Sequence, residues 1–283
     1  MPDGPRGTHS PMSRITLERH GKQYSAQGDR PVSLAIPMHF NGPQPNHFGA
    51  PRAHAEPLSS GAFTGDVRQG GSVNCDQMQV IPHCQGTHTE CVGHLCEERI
   101  AIADILPGSL FLARLISVEP VRADASSDHL GQGHLADDLI ISEALLTKAI
   151  AHFPGDADAL VIRTQPNHPD KINRQYVGES PAAYLSQAAA DYLVRIGIQH
   201  VVVDIPSLDR AHDHGLLAAH RAFWGMPAGS KRASDAARPN ATITELAWIT
   251  DALEDGWYLL DIQLPAWISD AAPSRPLLYR VLI

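Results

Sequence analysis

"SPAAYLSQAAADYLVRIGIQHVVVDIPSLD", residues 180–209, decides the architecture. Ser180 is placed to cap a helix, Pro181 occupies the first helical position, where its missing N–H is tolerated, and Gly197 lies just past the last apolar residue. The stretch therefore predicts a helix from Ser180–Pro181 to Gly197. "HVVVDI" (200–205) follows it and "ALVIRT" (159–164) precedes it, both reading as strands. Strand, helix and strand in that order predict a βαβ unit with parallel strands.

Working outward, "LFLARLISV" (110–118) is apolar with β-branched ends and predicts a buried strand. "SEALLTKAIAHF" opens on Ser142 as N-cap and carries Leu145, Leu146, Ala149 and Ile150 at helical spacing, a short amphipathic helix. "HGLLAAHRAFW" (214–224) predicts another helix, and "ITELAWI", "GWYLLDIQL" and "LLYRVLI" predict three strands near the C-terminus. Upstream, "VSLAIPM" (32–38) is a short strand, while residues 40–66 are too rich in turn-formers for regular structure and read as ordered loop. The expectation is a single α/β domain over residues 31–283, a mixed sheet with a parallel βαβ core and antiparallel strands beside it, preceded by a poorly ordered segment, 1–30.

Composition narrows the function. Asp and Glu outnumber Lys and Arg by 31 to 22, giving a net charge of −9, so no phosphate-neutralising surface is evident and nucleic acid is not an expected partner. No run of about 18 apolar residues could span a bilayer, and "MPDGPRGTHSPM" lacks a signal-peptide core; neither a membrane nor secretion is expected, and a cytoplasmic location is. Cys75, Cys84, Cys91 and Cys96 crowd into one segment, which favours metal or catalytic use over a disulfide framework. There is no Gly-x-Ser-x-Gly elbow and no Walker loop, and "GQGHLA" (131–136) follows no strand.

The chemistry concentrates in "HCQGTHTECVGH" (83–94). Cys84, Gly86, His88, Glu90 and His94 share parity, so an extended chain projects them from one face. Four residues of straight strand span about 13 Å, far beyond the ~4 Å between two donors on one ion, so the chain must bend between Cys84 and His88. Gly86 is where it can. A helix would bring 84 to 88 but turn 90 away. Two other uses of these residues stay open: a closed zinc site of Cys84, His88, Cys91 and His94, and a Cys84 nucleophile with His88 or His94 as base.

"CQGTHTECVGH" resembles the signature of the metal-dependent cyclase family, which includes bacterial kynurenine formamidase and isatin hydrolase. Gly86-Thr87-His88 and His94 match it, with Cys84 at the place of its first histidine and Glu90 at that of its aspartate. "VVVDIPSLD" is similar to a further family stretch through Asp204, Ser207 and Asp209, residues that otherwise touch substrate, support ligands or cap turns. "AAHRAFW" is similar to the helix carrying a distal histidine (His220), "ITELAW" to the strand carrying a distal glutamate (Glu245), and "DAAPSRPLLYRVLI" to the closing strand.

What the resemblance implies is a swivelling β/β/α-like hydrolase with one or two zinc ions, zinc being preferred to manganese because a thiolate is a soft ligand. Cys84, His88 and Glu90 would hold one ion, Glu90, His220 and Glu245 the other, and His94 would transfer protons. Metal-bound hydroxide would attack the carbonyl of a small amide such as N-formylkynurenine; isatin and lactone rings are the family's other substrates. A homodimer is also implied. A different class of expectation is a relative that kept the scaffold and lost turnover.

Overall fold

The computed structural model describes residues 13–106, 108–131, 134–176 and 182–282. Nine strands build its main sheet, labelled here in chain order: β1 (Val32–Ser33), β2 (His88–Glu90), β3 (Leu110–Val118), β4 (Ala159–Thr164), β5 (His200–Val203), β6 (Thr242–Glu245), β7 (Gly256–Gln263), β8 (Ala271–Pro273) and β9 (Arg275–Arg280). Their spatial order is β8-β2-β6-β5-β4-β3-β7-β9-β1. The four central strands, β6, β5, β4 and β3, run parallel to one another, and every flanking pair is antiparallel. This is the mixed, curled sheet of a single α/β domain.

The centre is apolar on both faces, as a covered parallel sheet requires. On β4, Leu160 and Ile162 enter one cluster and Ala159 and Val161 another; on β5, Val201 and Val203 divide from Val202 in the same way. Four helices lie outside the sheet among the described residues: α1 (Ile102–Ile105), α2 (Glu143–Ile150), α3 (Gln187–Arg195) and α4 (Ala218–Trp224). Leu146 of α2, Leu193 of α3 and Phe223 and Trp224 of α4 fill the first cluster. The Ser142 hydroxyl accepts from Leu145 N, so α2 starts where its cap predicts.

Three expectations change. The helix between β4 and β5 begins at Gln187, not at Ser180–Pro181, because Ser186 takes the cap by accepting from Ala189 N and Tyr184–Leu185 pairs as a strand with Leu139–Ile141. Ser180 and Pro181 themselves lie outside the described residues; Gly197, at φ +79°, ends the helix as expected. Residues 14–27 are not irregular: Arg14–Arg19 and Lys22–Gln27 form an antiparallel hairpin turned by His20 and Gly21, both at positive φ. Its Ile15, Leu17, Tyr24 and Ala26 lie against Leu112, Leu259 and Leu277 of the sheet. Within 40–79 the loop contains a further hairpin of His54–Pro57 with Asp76–Gln79.

The carboxyl ends of β4 and β5 are fastened by a buried ion pair. Lys171 Nζ donates to Asp204 Oδ2 (2.7 Å), to the Thr164 carbonyl (2.8 Å) and to Asn167 Oδ1 (3.0 Å). Asp204 therefore braces the sheet below the loop that follows it. Removing the cation strands a buried carboxylate, so Lys171→Ala is expected to lower unfolding free energy by about 3–5 kcal/mol, measured by equilibrium denaturation.

Candidate metal centre

β2 is short, but its place between β8 and β6 buries every side chain on it. Alternation sends Thr89 to one face, where its hydroxyl meets that of Thr244 at 2.7 Å, and His88 and Glu90 to the other. Glu245 stands directly across the ladder from His88 and Ile243 across from Glu90. The Thr87 hydroxyl donates to the Leu246 carbonyl (2.6 Å) and accepts from Ile36 N (2.9 Å), locking the entry to β2 against both neighbouring segments. His88 is 0% exposed, Glu90 1% and Glu245 4%, a degree of burial that ionisable groups reach only when paired or bound.

The bend expected at Gly86 is present: its φ is +71°, and a Cβ there would lie 2.6 Å from the Met38 sulfur. Just before it, Pro82–Cys84 forms a 3₁₀ turn. Successive side chains in such a turn point about 120° apart, so His83 and Cys84 cannot both face the cluster. His83 is the one that does, with Nδ1 3.0 Å from Glu90 Oε2 and Nε2 2.7 Å from Asp270 Oδ2. Cys84, expected as a ligand, belongs to none of the groupings of donor atoms described below. Burial, with Glu245 nearby, raises its thiol pKa, which disfavours the thiolate that ligation or nucleophilic attack would need.

α4 delivers His220 from the opposite side. Trp224, one turn on, anchors the helix by donating Nε1–H to the Ala241 carbonyl at the start of β6 (2.9 Å). Asp209, in the loop after β5, accepts from Ala219 N (2.7 Å) and His220 N (3.1 Å) and lies 2.6 Å from His220 Nδ1. With Nδ1–H committed to Asp209, Nε2 points at Glu90 Oε1 (2.9 Å) and Glu245 Oε1 (3.5 Å), donating to Glu90 when the ring is protonated and turning a lone pair toward the carboxylates when it is neutral. His94 stacks on His83 with centroids 4.2 Å apart and holds Nδ1 3.5 Å from Asp270 Oδ2 and 3.9 Å from Glu90 Oε2. Of the five residues expected as ligands, the fold thus brings His88, Glu90, His220 and Glu245 together, with His94 beside them.

Three sets of side chains place their donor atoms all within 4.8 Å of one another: His83, His88 and Glu90; Glu90, His220 and Glu245; and His83, His94 and Asp270. Glu90 belongs to two of them and presents a different oxygen to each, Oε2 toward His83 and Oε1 toward His220. Two buried atoms of this cluster, His88 Nε2 and Glu90 Oε2, have no hydrogen bond; His83 Nδ1 is close to Glu90 Oε2 but off the line such a bond needs. Lone pairs converging without donors between them are what a cation site requires. Four carboxylates (Glu90, Asp209, Glu245 and Asp270) meet four imidazoles here, so neutral imidazoles leave the cluster strongly negative, and divalent ions would balance it.

The titration of the metal-free cluster reflects this. Burial opposes charge on His83, but its hydrogen bond to Asp270 and the nearby charge of Glu90 outweigh burial and raise its pKa to about 10. Burial likewise opposes charge on His220, and Glu90 and Asp209 raise it well above the ordinary value. Glu90 goes the other way: despite burial, His94 and His220 hold its carboxyl well below the usual range.

The cluster floors a cavity of about 680 Å³ whose lining includes His47, Phe48, Ser207, Arg210, His94 and His220. Of six non-glycine residues at positive φ among the described residues, four (Phe48, His214, Leu217 and Leu246) border this cavity or the strand end beneath it. Such strain concentrates where surrounding structure dictates the backbone. Sequence reasoning missed His83 and Asp270, and read His47 only as one of three loop histidines (with His39 and His54) that line a pocket or are simply solvated. His83 was visible within the motif, one residue from the position the resemblance singled out; Asp270 had no local signal, since only the β8–β2 pairing brings its segment to the site.

A family model described as "Putative cyclase" matches residues 30–210, more than half of the chain, and the chain belongs to that cyclase family. No curated protein matches its sequence. Solved structures of like fold include one described as a predicted metal-dependent hydrolase from Bacillus stearothermophilus, 18% identical, covering 88% of this chain and 98% of that one with a TM-score of 0.54. An isatin hydrolase bound to the product analogue thioisatinate is 13% identical over 88% of this chain and 92% of its own, TM-score 0.59. Isatin hydrolase A from Labrenzia aggregata is 14% identical over 88% and 93%, TM-score 0.56. At these identities the likeness is one of fold: the chain has the architecture of the cyclase-family metal-dependent hydrolases. No helix among the described residues is long and apolar enough to cross a membrane.

Two outcomes test the cluster directly. By elemental analysis, His83→Ala is expected to lose bound metal while Cys84→Ala retains it; the reverse result would restore the sulfur as ligand. In the metal-free protein, the imidazolium of His83 stabilises the fold fully below its ordinary pKa of 6.5, and this contribution is lost as pH rises toward about 10. Thermal melts should therefore fall in midpoint from pH 7 to pH 10, with a shallower decline in His83→Gln.

Proposed function

We propose that the chain is a metal-dependent hydrolase that opens the C–N bond of a small aromatic amide, in the manner of an arylformamidase acting on substrates of the N-formylkynurenine type. The observation that carries this reading is Glu90: a buried carboxylate with one oxygen facing His83 and the other facing His220, two residues that line a cavity sized for a small molecule. His83, His88 and Glu90 would hold one ion, and Glu90, His220 and Glu245 the second. Imidazole and carboxylate donors suit zinc. With Cys84 outside these sets, softness no longer argues for zinc over manganese, and the preference rests on the imidazoles.

A bound divalent ion supplies Lewis acidity there, polarising a carbonyl and lowering the pKa of water. The remaining work belongs to the side chains. Asp209 fixes the tautomer of His220 and so keeps its Nε2 lone pair on the cavity side. His94, partly exposed on the cavity wall, is held through Nδ1 near Asp270, leaving Nε2 to take a proton from the attacking water and return it to the departing nitrogen. Phe48 and Leu217 give the wall an apolar surface that limits bulk water. Glu90 reaches both donor sets although it carries one methylene more than the family's aspartate.

Isatin hydrolases among the fold neighbours favour a second substrate for the same chemistry, a cyclic amide opened at its C–N bond. The reading also carries the homodimer that the family resemblance implies. Formanilide and isatin hydrolysis, followed by absorbance, should stop on chelation and return with zinc. His94→Ala is expected to keep its metal while kcat falls by about 10²–10⁴-fold. Activity that survives chelation but not thiol alkylation would overturn the reading in favour of a cysteine nucleophile, and metal binding without hydrolysis of either amide would favour a non-catalytic relative.

A further inference from the structure

His47 lines the same cavity, belongs to none of the three donor sets, and is only 2% exposed, yet neither of its ring nitrogens has a hydrogen-bond partner. Buried polar atoms are so regularly paired that two bare ones on a single ring call for a reason. Packing accounts for the ring but not for its nitrogens. His47 pairs with Tyr176 in a two-residue parallel ladder, meets the Tyr176 ring edge-on at 6.4 Å, and has Phe48 against it at 3.8 Å between centroids. The Tyr176 backbone exerts a weak pull toward the protonated form but stands outside hydrogen-bond geometry.

The turn that holds the ring is closed by Ala50 N donating to the His47 carbonyl (3.2 Å) and by Asn46 Nδ2 donating to the Ala50 carbonyl (2.9 Å). It places Phe48 at φ +58°, 58% exposed at the cavity wall. Burial lowers the His47 pKa to about 4, so the ring is neutral at physiological pH and offers one N–H and one acceptor lone pair. The other polar groups of the cavity are either exposed or committed: His212 and His214 lie open to solvent, the Ser207 hydroxyl accepts from Asp209 N, and the Asp213 carboxylate accepts from Gly215 N and Leu217 N. His83, His94, His220 and Glu245 belong to the ligand cluster, and Arg210, which can only donate, is engaged by Asp138 at 2.7 Å. Among the described cavity-lining residues, His47 is the one whose buried polar atoms are bare.

A secondary amide has two polar ends. Under the hydrolase reading, on which this inference rests, the carbonyl oxygen faces the metal cluster, and the amide N–H then needs an acceptor in the wall. We propose that His47 accepts that N–H through its free ring nitrogen while Phe48 stacks on the ring of the substrate, so that this pair selects planar aromatic secondary amides and lactams. A tertiary amide, lacking the N–H, would leave the buried nitrogen unpaired.

Calorimetric titration of the metal-loaded full chain with oxindole, a planar aromatic lactam that resists opening, and with N-methyloxindole tests this. The wild-type protein is expected to prefer oxindole by about tenfold. His47→Phe should weaken oxindole binding by a similar factor and abolish the preference, and His47→Asn, which keeps an acceptor, should recover part of it; melting curves check that both variants fold. Equal wild-type affinities for the two probes, no binding of either, or a preference unchanged in His47→Phe would overturn the proposal. The hydrolase reading is scored separately: the N–H preference without formanilide or isatin turnover sinks that reading and leaves His47 as a recognition group.

Discussion

Glu90 and Glu245 are buried within reach of the same imidazole, and each carboxylate raises the cost of ionising the other. Glu90 itself opposes the ionised form of Glu245, and the proximity of the His220 and His88 imidazoles, each 3.5 Å away, brings its pKa down to about 2. The rest of the centre is arranged around holding these like charges together. Four imidazoles and the Leu208 N–H, which donates to Glu245 Oε1 at 2.7 Å, supply partial compensation. A pair of carboxylates kept ionised in a dry place is costly unless a cation is shared between them, and that asymmetry would favour a bound metal.

Holding the pair in register falls to backbone pairing and hydroxyls. The β2–β6 ladder sets the His88–Glu245 spacing, and the contact of Thr89 with Thr244 on the opposite face, with Thr87 at the strand's entry, stops β2 from slipping. A one-residue slip would exchange the two faces and put Thr89 where His88 and Glu90 stand. His220 is fixed by other means, through Asp209 and the Trp224 anchor. Strand and helix thus bring their donors to one place by different contacts on a common strand, β2 through its ladder with β6 and α4 through the Ala241 carbonyl at the start of β6.

Much of the parallel core was legible, because strands buried on both faces and capped helices leave dense local signals. Ser142 capped its helix as read, Gly197 ended its own, and the bend at Gly86 followed from the reach of an extended chain. The N-terminal hairpin was legible but overlooked: Ile15, Leu17, Tyr24 and Ala26 alternate around a His-Gly turn within a polar background. Cys84 illustrates a different limit. Parity arguments assume an extended chain, and a 3₁₀ turn reassigns which of two adjacent residues faces inward, so the identity of the first donor depends on backbone that composition does not dictate. Asp270 and the bare nitrogens of His47 depend on tertiary pairing and leave no trace in the neighbouring sequence.

The cavity draws its floor and its walls from separate parts of the chain. Donor atoms sit on sheet strands, the 3₁₀ turn and α4, whereas much of the wall comes from the turn around Phe48 and from the 206–217 loop, which carries left-handed residues at His214, Gly215 and Leu217. Such a division makes the two parts independently variable. Loops of different length or composition can be exchanged above an unaltered set of imidazoles and carboxylates, so lineages built on this scaffold can drift in what the cavity accepts while its floor stays the same.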